Sequence, residues 1–126
     1  MAENKNQETC TEILKISEKI RYIGIINKYG RTIAGKLKYG IKPLLTPDQA
    51  RDERFIESTR QQLRKNLNST IGRTLYTITK NENVTFVLIP SQNQDLLYYI
   101  TIDKDISTRE LNDTITNVLQ HITKNC

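Results

Sequence analysis

Hydrophobic positions along this chain change period several times, and the order of those changes predicts its elements. Ile13, Ile16 and Ile20 recur at helical spacing behind Thr9-Cys-Thr-Glu12, a capping-box pattern in which Thr9 and Glu12 satisfy each other's backbone donors. Tyr22-Ile-Gly-Ile-Ile26 is continuously apolar, as expected of a central strand covered on both faces. Asn27-Lys-Tyr-Gly30 supplies turn chemistry: Asn27 suits the first position of a type I turn and Gly30 the left-handed residue that follows it. Arg31-Thr-Ile-Ala-Gly35 then returns as a second strand.

From Lys36 to Leu45 the chain reads as irregular, with Leu37, Tyr39, Ile41, Leu44 and Leu45 set among Lys36, Lys38, Gly40 and Lys42. Thr46-Pro-Asp-Gln49 starts a helix, with Thr46 as cap, Pro47 in the first turn and Gln49 reaching back. That helix is expected to run to about Asn66. Its apolar stripe is thin: Phe55 or Ile56, then Thr59, Leu63 and Leu67. Most other positions are charged or amide, so one side must face solvent or a partner. Three strands follow, Arg73 to Lys80, Val84 to Ile89 ending at Pro90, and Leu96 to Ile102. A second capping box, Ser107-Thr-Arg-Glu110, opens a closing helix with Leu111, Ile115, Val118, Leu119 and Ile122 on one stripe. The order is α-β-β-α-β-β-β-α, an α+β fold in which helices sandwich a small sheet.

With 126 residues the chain suits a single domain, placed at 9–126 behind a flexible tail of residues 1–8. No apolar run reaches the roughly 18–20 residues that span a bilayer, and the polar start lacks the features of a signal peptide. A cytoplasmic protein is therefore expected. Cys10 and Cys126 fit no metal-type spacing, and a bridge would need the termini to meet; free thiols are the preferred reading.

Charge sharpens the picture. The segment from Lys15 to Lys42 holds eight Lys and Arg against Glu18 alone, a net +7, which leaves −2 elsewhere. Its Lys28, Arg31, Lys36, Lys38 and Lys42 form a candidate basic face able to steer an acidic partner, a nucleic acid or an anionic surface. The plainer reading, a solvated lysine-rich surface, is preferred. Tyr22, Tyr29 and Tyr39 among these cations suggest stacking on a nucleic acid, but the aromatic spacing of an RNA-binding sheet is lacking.

Catalytic chemistry finds little support. The single histidine, His121, has no partner pattern of a general base and reads as a surface or boundary residue. Asp103 and Asp105 precede a helix start, where negative charge suits the helix dipole. The glycines are too evenly spread for a phosphate loop. Arg51, Arg54, Arg60 and Arg64 could include an arginine finger, yet intrahelical pairing with Glu53 and Glu57 explains them better. No cofactor, metal or active site is expected, and the chain reads as a non-enzyme.

The element order, and locally Tyr22-Ile-Gly-Ile-Ile-Asn-Lys-Tyr-Gly-Arg-Thr-Ile-Ala34, resembles the roadblock/longin-like family, the dynein light-chain roadblock domains and their prokaryotic relatives. It is also similar to short archaeal proteins of this kind, and the hairpin suits profilin-like sheets too. The resemblance spans Thr9 to Ile122. It implies a five-stranded antiparallel sheet, the long middle helix on one face and the two terminal helices on the other. It also implies a dimeric scaffold or regulator of a partner such as a small Ras-like GTPase. Carried onto this chain, the dimer or partner surface would take Arg54, Ser58, Gln61, Gln62 and Lys65 from the middle helix and Thr74, Tyr76 and Ile78 from an edge strand. The middle helix is more polar than is usual for such a seam. Two other readings stay open: a small-ligand sensor with a pocket under the Leu37–Leu45 loop, and a nucleic-acid binder using the basic face.

Overall fold

The first hairpin turn and two of the three expected helix caps are realised as hydrogen bonds in the computed structural model, which describes residues 2–125 and the side chains of residues 5–124. Helix α1 (Ala2–Leu14) leads into strands β1 (Ile20–Asn27) and β2 (Thr32–Leu37), and then helix α2 (Pro47–Arg64). A 3-10 turn (Lys65–Leu67) and the one-turn helix α3 (Asn68–Ile71) follow. Strands β3 (Thr77–Lys80), β4 (Val84–Pro90) and β5 (Leu96–Asp103) and helix α4 (Thr108–Asn125) complete the order. In the first hairpin, Asn27 Oδ1 accepts from the N–H of Tyr29 and of Arg31, both at 3.0 Å. Gly30 beside them has φ 81°, a value that disfavours any side chain. At the head of α2, Gln49 N–H donates to Thr46 Oγ1 (3.2 Å) and Thr46 N–H to Gln49 Oε1 (3.0 Å). Ser107 and Glu110 make the same exchange at the head of α4.

Two boundaries differ from expectation. α1 is helical from Ala2, so residues 2–8, expected as a tail, lie in the first helix. Thr9 is inside that helix, its hydroxyl donating to the Lys5 carbonyl at 3.0 Å. A threonine three residues ahead of a glutamate fits a helix interior as well as a cap, because the hydroxyl can bond back to the preceding turn. β3 begins at Thr77 rather than Arg73; Gly72 ends α3 with φ 85°, and the chain between them makes no ladder.

The sheet runs β2-β1-β5-β4-β3, with every neighbouring pair antiparallel. β1 pairs on both sides, as its continuous apolar run requires. On one face α1 and α4 close the main core, where Ile13, Ile23, Ile25, Ile100, Ile115 and Val118 are almost wholly buried. Each such side chain contributes about 1.5–3 kcal/mol relative to exposure. The opposite face holds a smaller cluster, Ile26, Phe86, Leu88, Leu97 and Tyr99, beneath α2. The fold is thus the expected α+β sandwich. Cys10 is a free, buried thiol; burial pushes its pKa up to about 11 and makes it a poor nucleophile. Cys126 lies outside the described residues.

Candidate partner interface

α2 carries two stripes at helical spacing, and the polar one faces the sheet. Glu57, Ser58 and Gln61 are buried, and Arg54 Nε donates to the Gly30 carbonyl at 3.3 Å. The β1–β2 turn can meet the helix this closely because Gly30 lacks a Cβ, which would sit 3.2 Å from Phe55 Cα and 3.1 Å from Ser58 Oγ. The apolar stripe points the other way: Phe55 is 62% and Leu63 64% exposed, with Ile56 beside them. A helix that rests on a sheet ordinarily buries its apolar stripe; this one presents it outward.

The inward polar face is only partly paired, with Glu53 Oε1 and Gln61 Nε2 buried without a hydrogen-bond partner. Glu57 Oε1 lies 3.4 Å from Arg60 Nη1, so the expected intrahelical pairing is present. Glu53, one turn earlier and half-buried, has its carboxyl pKa pushed up to about 7, first by burial and then by the charge of Glu57 and a hydrogen bond with it. Tyr99, under the same helix, is shifted upward by burial and by the charges of Glu53 and Glu57.

Outward, the stripe continues beyond α2. Leu67, Ile71, Leu75, Tyr76 and Ile78 are all exposed. Arg60 and Arg64 line two shallow hollows on this side, one with Phe55, Ile56 and Leu63 and the other with Ile71, Leu75 and Tyr76. The two therefore form one surface, ending on β3. Among the described residues β3 pairs with β4 alone, which leaves a row of backbone donors and acceptors along its outer side. The other edge of the sheet is met by α1, where Gln7 Nε2 donates to the Gly35 carbonyl at 3.0 Å.

The residues proposed from sequence divide accordingly. Tyr76 and Ile78 are exposed on this surface and Thr74 is half-buried in it. Gln62 and Lys65 are half-buried. Ser58 and Gln61 are buried against the chain's own sheet, and half-buried Arg54 is bonded to the hairpin turn; these three face inward, because the polar stripe is the one that seats on the sheet. Phe55, Ile56, Leu63, Ile71 and Leu75 take their place on the outward surface. The basic set is also dispersed. Lys28 and Arg31 are exposed at the hairpin tip, with Lys28 Nζ 5.3 Å from the Tyr29 ring centroid. Lys36 Nζ donates to Thr11 Oγ1 and Lys38 Nζ to the Ser17 carbonyl, both on the α1 side, and Lys42 is exposed on the loop before α2. The five are thus spread over the hairpin tip, the α1 side of the β2 end and the loop before α2.

No catalytic cluster emerges among the described residues. His121 Nε2 is 3.7 Å from Glu12 Oε2 at the α1–α4 contact, and Asp103 Oδ1 accepts from Arg21 Nη1 at 3.0 Å. Among the described residues, no group of three or more His, Cys, Asp or Glu is placed to hold a metal, and no helix is long and apolar enough to cross a membrane.

This architecture is that of a roadblock domain. The gliding protein MglB of Thermus thermophilus superposes with a TM-score of 0.73 at 14% identity, covering 97% of this chain and 88% of that one. A second MglB structure, described as a tetrameric arrangement, gives 0.69 at 12% identity over 98% of this chain and 91% of that one. A Roadblock/LC7 domain from Streptomyces avermitilis gives 0.65 at 7% identity over 94% of each chain. No family model matches the sequence, and no curated protein matches it either. The chain is a roadblock/longin-like domain in fold.

Proposed function

We propose that this protein is a non-enzymatic interaction module that pairs with a second copy of itself and regulates a partner such as a small Ras-like GTPase. The observation that carries this reading is the inverted α2. Its apolar stripe lies on the outside, continuous with the exposed residues of Ile71 to Ile78 and with the open edge of β3. A contiguous apolar surface of this kind marks an interaction site, and an edge strand beside it offers backbone pairing to a second sheet. A self-complementary surface in which α2 meets α2 and β3 meets β3 is what a two-fold dimer requires. That one MglB structure is described as a tetrameric arrangement supports self-association on this fold, and the resemblance to roadblock domains supplies the GTPase. The test is nucleotide turnover by a small Ras-like GTPase of the same organism, with and without this protein. The wild type should alter the rate and bind the GTPase, whereas a Phe55→Asp variant, charged on the outward stripe, should lose the assembled form. Absence of any binding or rate change would remove the GTPase from the proposal.

A further inference from the structure

Away from the outward stripe, on the sheet face that α2 only partly covers, lies a cavity of about 330 Å³ between the sheet, the start of α2 and the loop before it. Its sheet side is aromatic. Tyr22 and Tyr99 meet edge to face at 6.3 Å, and Phe86 lies 5.7 Å from Tyr99. The space exists for a reason visible in the sequence. Gly24 and Gly35 face each other across β1 and β2, and a Cβ on either would fall 2.8 or 2.5 Å from Tyr22 Oη. The Tyr22 ring therefore reclines on a glycine pair and leaves room above. The opposite wall is held in place by Arg21, whose Nη2 donates to the Lys42 carbonyl and whose Nη1 donates to Asp103, both at 3.0 Å.

The lining chemistry selects a ligand. The walls are mostly apolar, and the charged side chains among them are Arg21, Lys42 and Arg54, with no carboxylate. Asp103 neutralises Arg21; Lys42 and Arg54 have no ion-pair partner among the described residues. The volume is at the lower end of small-molecule pockets and matches roughly ten waters at bulk density. Water against such walls is weakly held, so an apolar body that displaces it gains affinity. A cationic ligand would be repelled, and an anionic group is matched by Arg54 and Lys42.

We propose that this cavity binds a small amphipathic carboxylate, its apolar body against Tyr22, Phe86 and Tyr99 and its carboxylate toward Arg54 and Lys42. The probes are octanoate, octanol and octylamine, which share a chain and differ in charge, followed by calorimetry and by thermal melting. Octanoate should bind saturably at one site per chain and raise the melting temperature. Octanol should bind at least tenfold more weakly, and octylammonium should give no saturable signal. Arg54→Gln should reduce octanoate to the level of octanol. Ala50→Phe, which fills the cavity from α2, should abolish octanoate binding without lowering the melting temperature. If Arg54→Gln does not fold, Lys42→Gln and Ala50→Phe carry the test. No saturable octanoate binding, equal binding of octanoate and octylammonium, or undiminished binding by Ala50→Phe would each overturn the proposal. None of the outward residues Phe55, Leu63 or Ile71 lines the cavity, so these results do not depend on whether the protein dimerises.

Discussion

Replacing Glu53 with glutamine should make the protein more stable at alkaline pH and leave it nearly unchanged in acid. The Glu53 carboxyl has Oε1 buried without a hydrogen-bond partner and sits one turn from Glu57, itself 4% exposed. Burial and that neighbour raise its pKa from 4.5 to about 7. The folded state thus holds the proton more tightly than the unfolded chain. The associated stability is fully present below pH 4.5, drains away between 4.5 and about 7, and is absent above that. A difference of that size corresponds to roughly 3 kcal/mol, at about 1.36 kcal/mol per pH unit. Solvent access to a half-buried group reduces it to about 1–2 kcal/mol. Glutamine keeps the shape and supplies a permanent donor toward Glu57, without the charge that forms in the wild type at high pH. For a chain of this size, about 3–5 °C of melting temperature accompanies each kcal/mol. Thermal melts of both proteins at pH 5 and pH 8, at one fixed concentration because self-association shifts the midpoint, provide the assay. Glu53→Gln should melt roughly 3–10 °C above wild type at pH 8 and within a degree or two at pH 5. An equal difference at the two pH values, or a lower melting temperature at pH 8, would refute the reasoning.

Three further perturbations probe separate parts of the molecule. Leu63→Asp should leave chemical stability of the monomer within about 0.5 kcal/mol, as for other exposed sites, while eliminating self-association seen by light scattering. Gly30→Ala places a side chain at φ 81° and against the α2 backbone, so urea unfolding should report a loss of about 1–3 kcal/mol; an unchanged midpoint would mean that the turn and α2 do not meet as described. Arg21→Met removes both the Asp103 ion pair and the tether to Lys42. The ion pair itself contributes no more than about 1 kcal/mol, but tryptic cleavage after Lys38, at the start of that loop, should become several-fold faster, and an unchanged rate would show that the loop is held by other contacts.

Local hydrogen-bond chemistry was the most legible part of the sequence. Asn27 and Gly30 fix the first hairpin, and Thr46/Gln49 and Ser107/Glu110 fix two helix starts, because each signal acts over three or four residues. The stripe Leu111, Ile115, Val118 and Ile122 is equally direct, since only one face of α4 is apolar. Thr9 misled because its pattern has two solutions, and the choice was made by helix-compatible residues upstream. α2 shows the larger limit. Arg54, Glu57, Ser58 and Gln61 have the same periodicity as Phe55, Thr59 and Leu63, so spacing defines two stripes without saying which one seats on the sheet. That is decided by the sheet itself, through the glycine turn at Gly30 and the phenol of Tyr99, which lie far from α2 in sequence. The scattered basic residues follow the same rule: close in sequence, they are parted because the chain carries them from the hairpin tip along β2 to the loop before α2. The apolar residues between Leu37 and Leu45 mark a covered space, whereas Gly24 and Gly35, which create it, meet only through the β1–β2 pairing.

Solution mass tests the central claim most directly. Light scattering on the wild type across a dilution series, at low and high salt, should give a particle of twice the 14.6 kDa chain mass that persists in salt, because apolar contact is not screened as charge is. Leu63→Asp should give a single chain under the same conditions. A wild-type monomer at every concentration would contradict the account, leaving the outward face of α2 without the partner proposed for it.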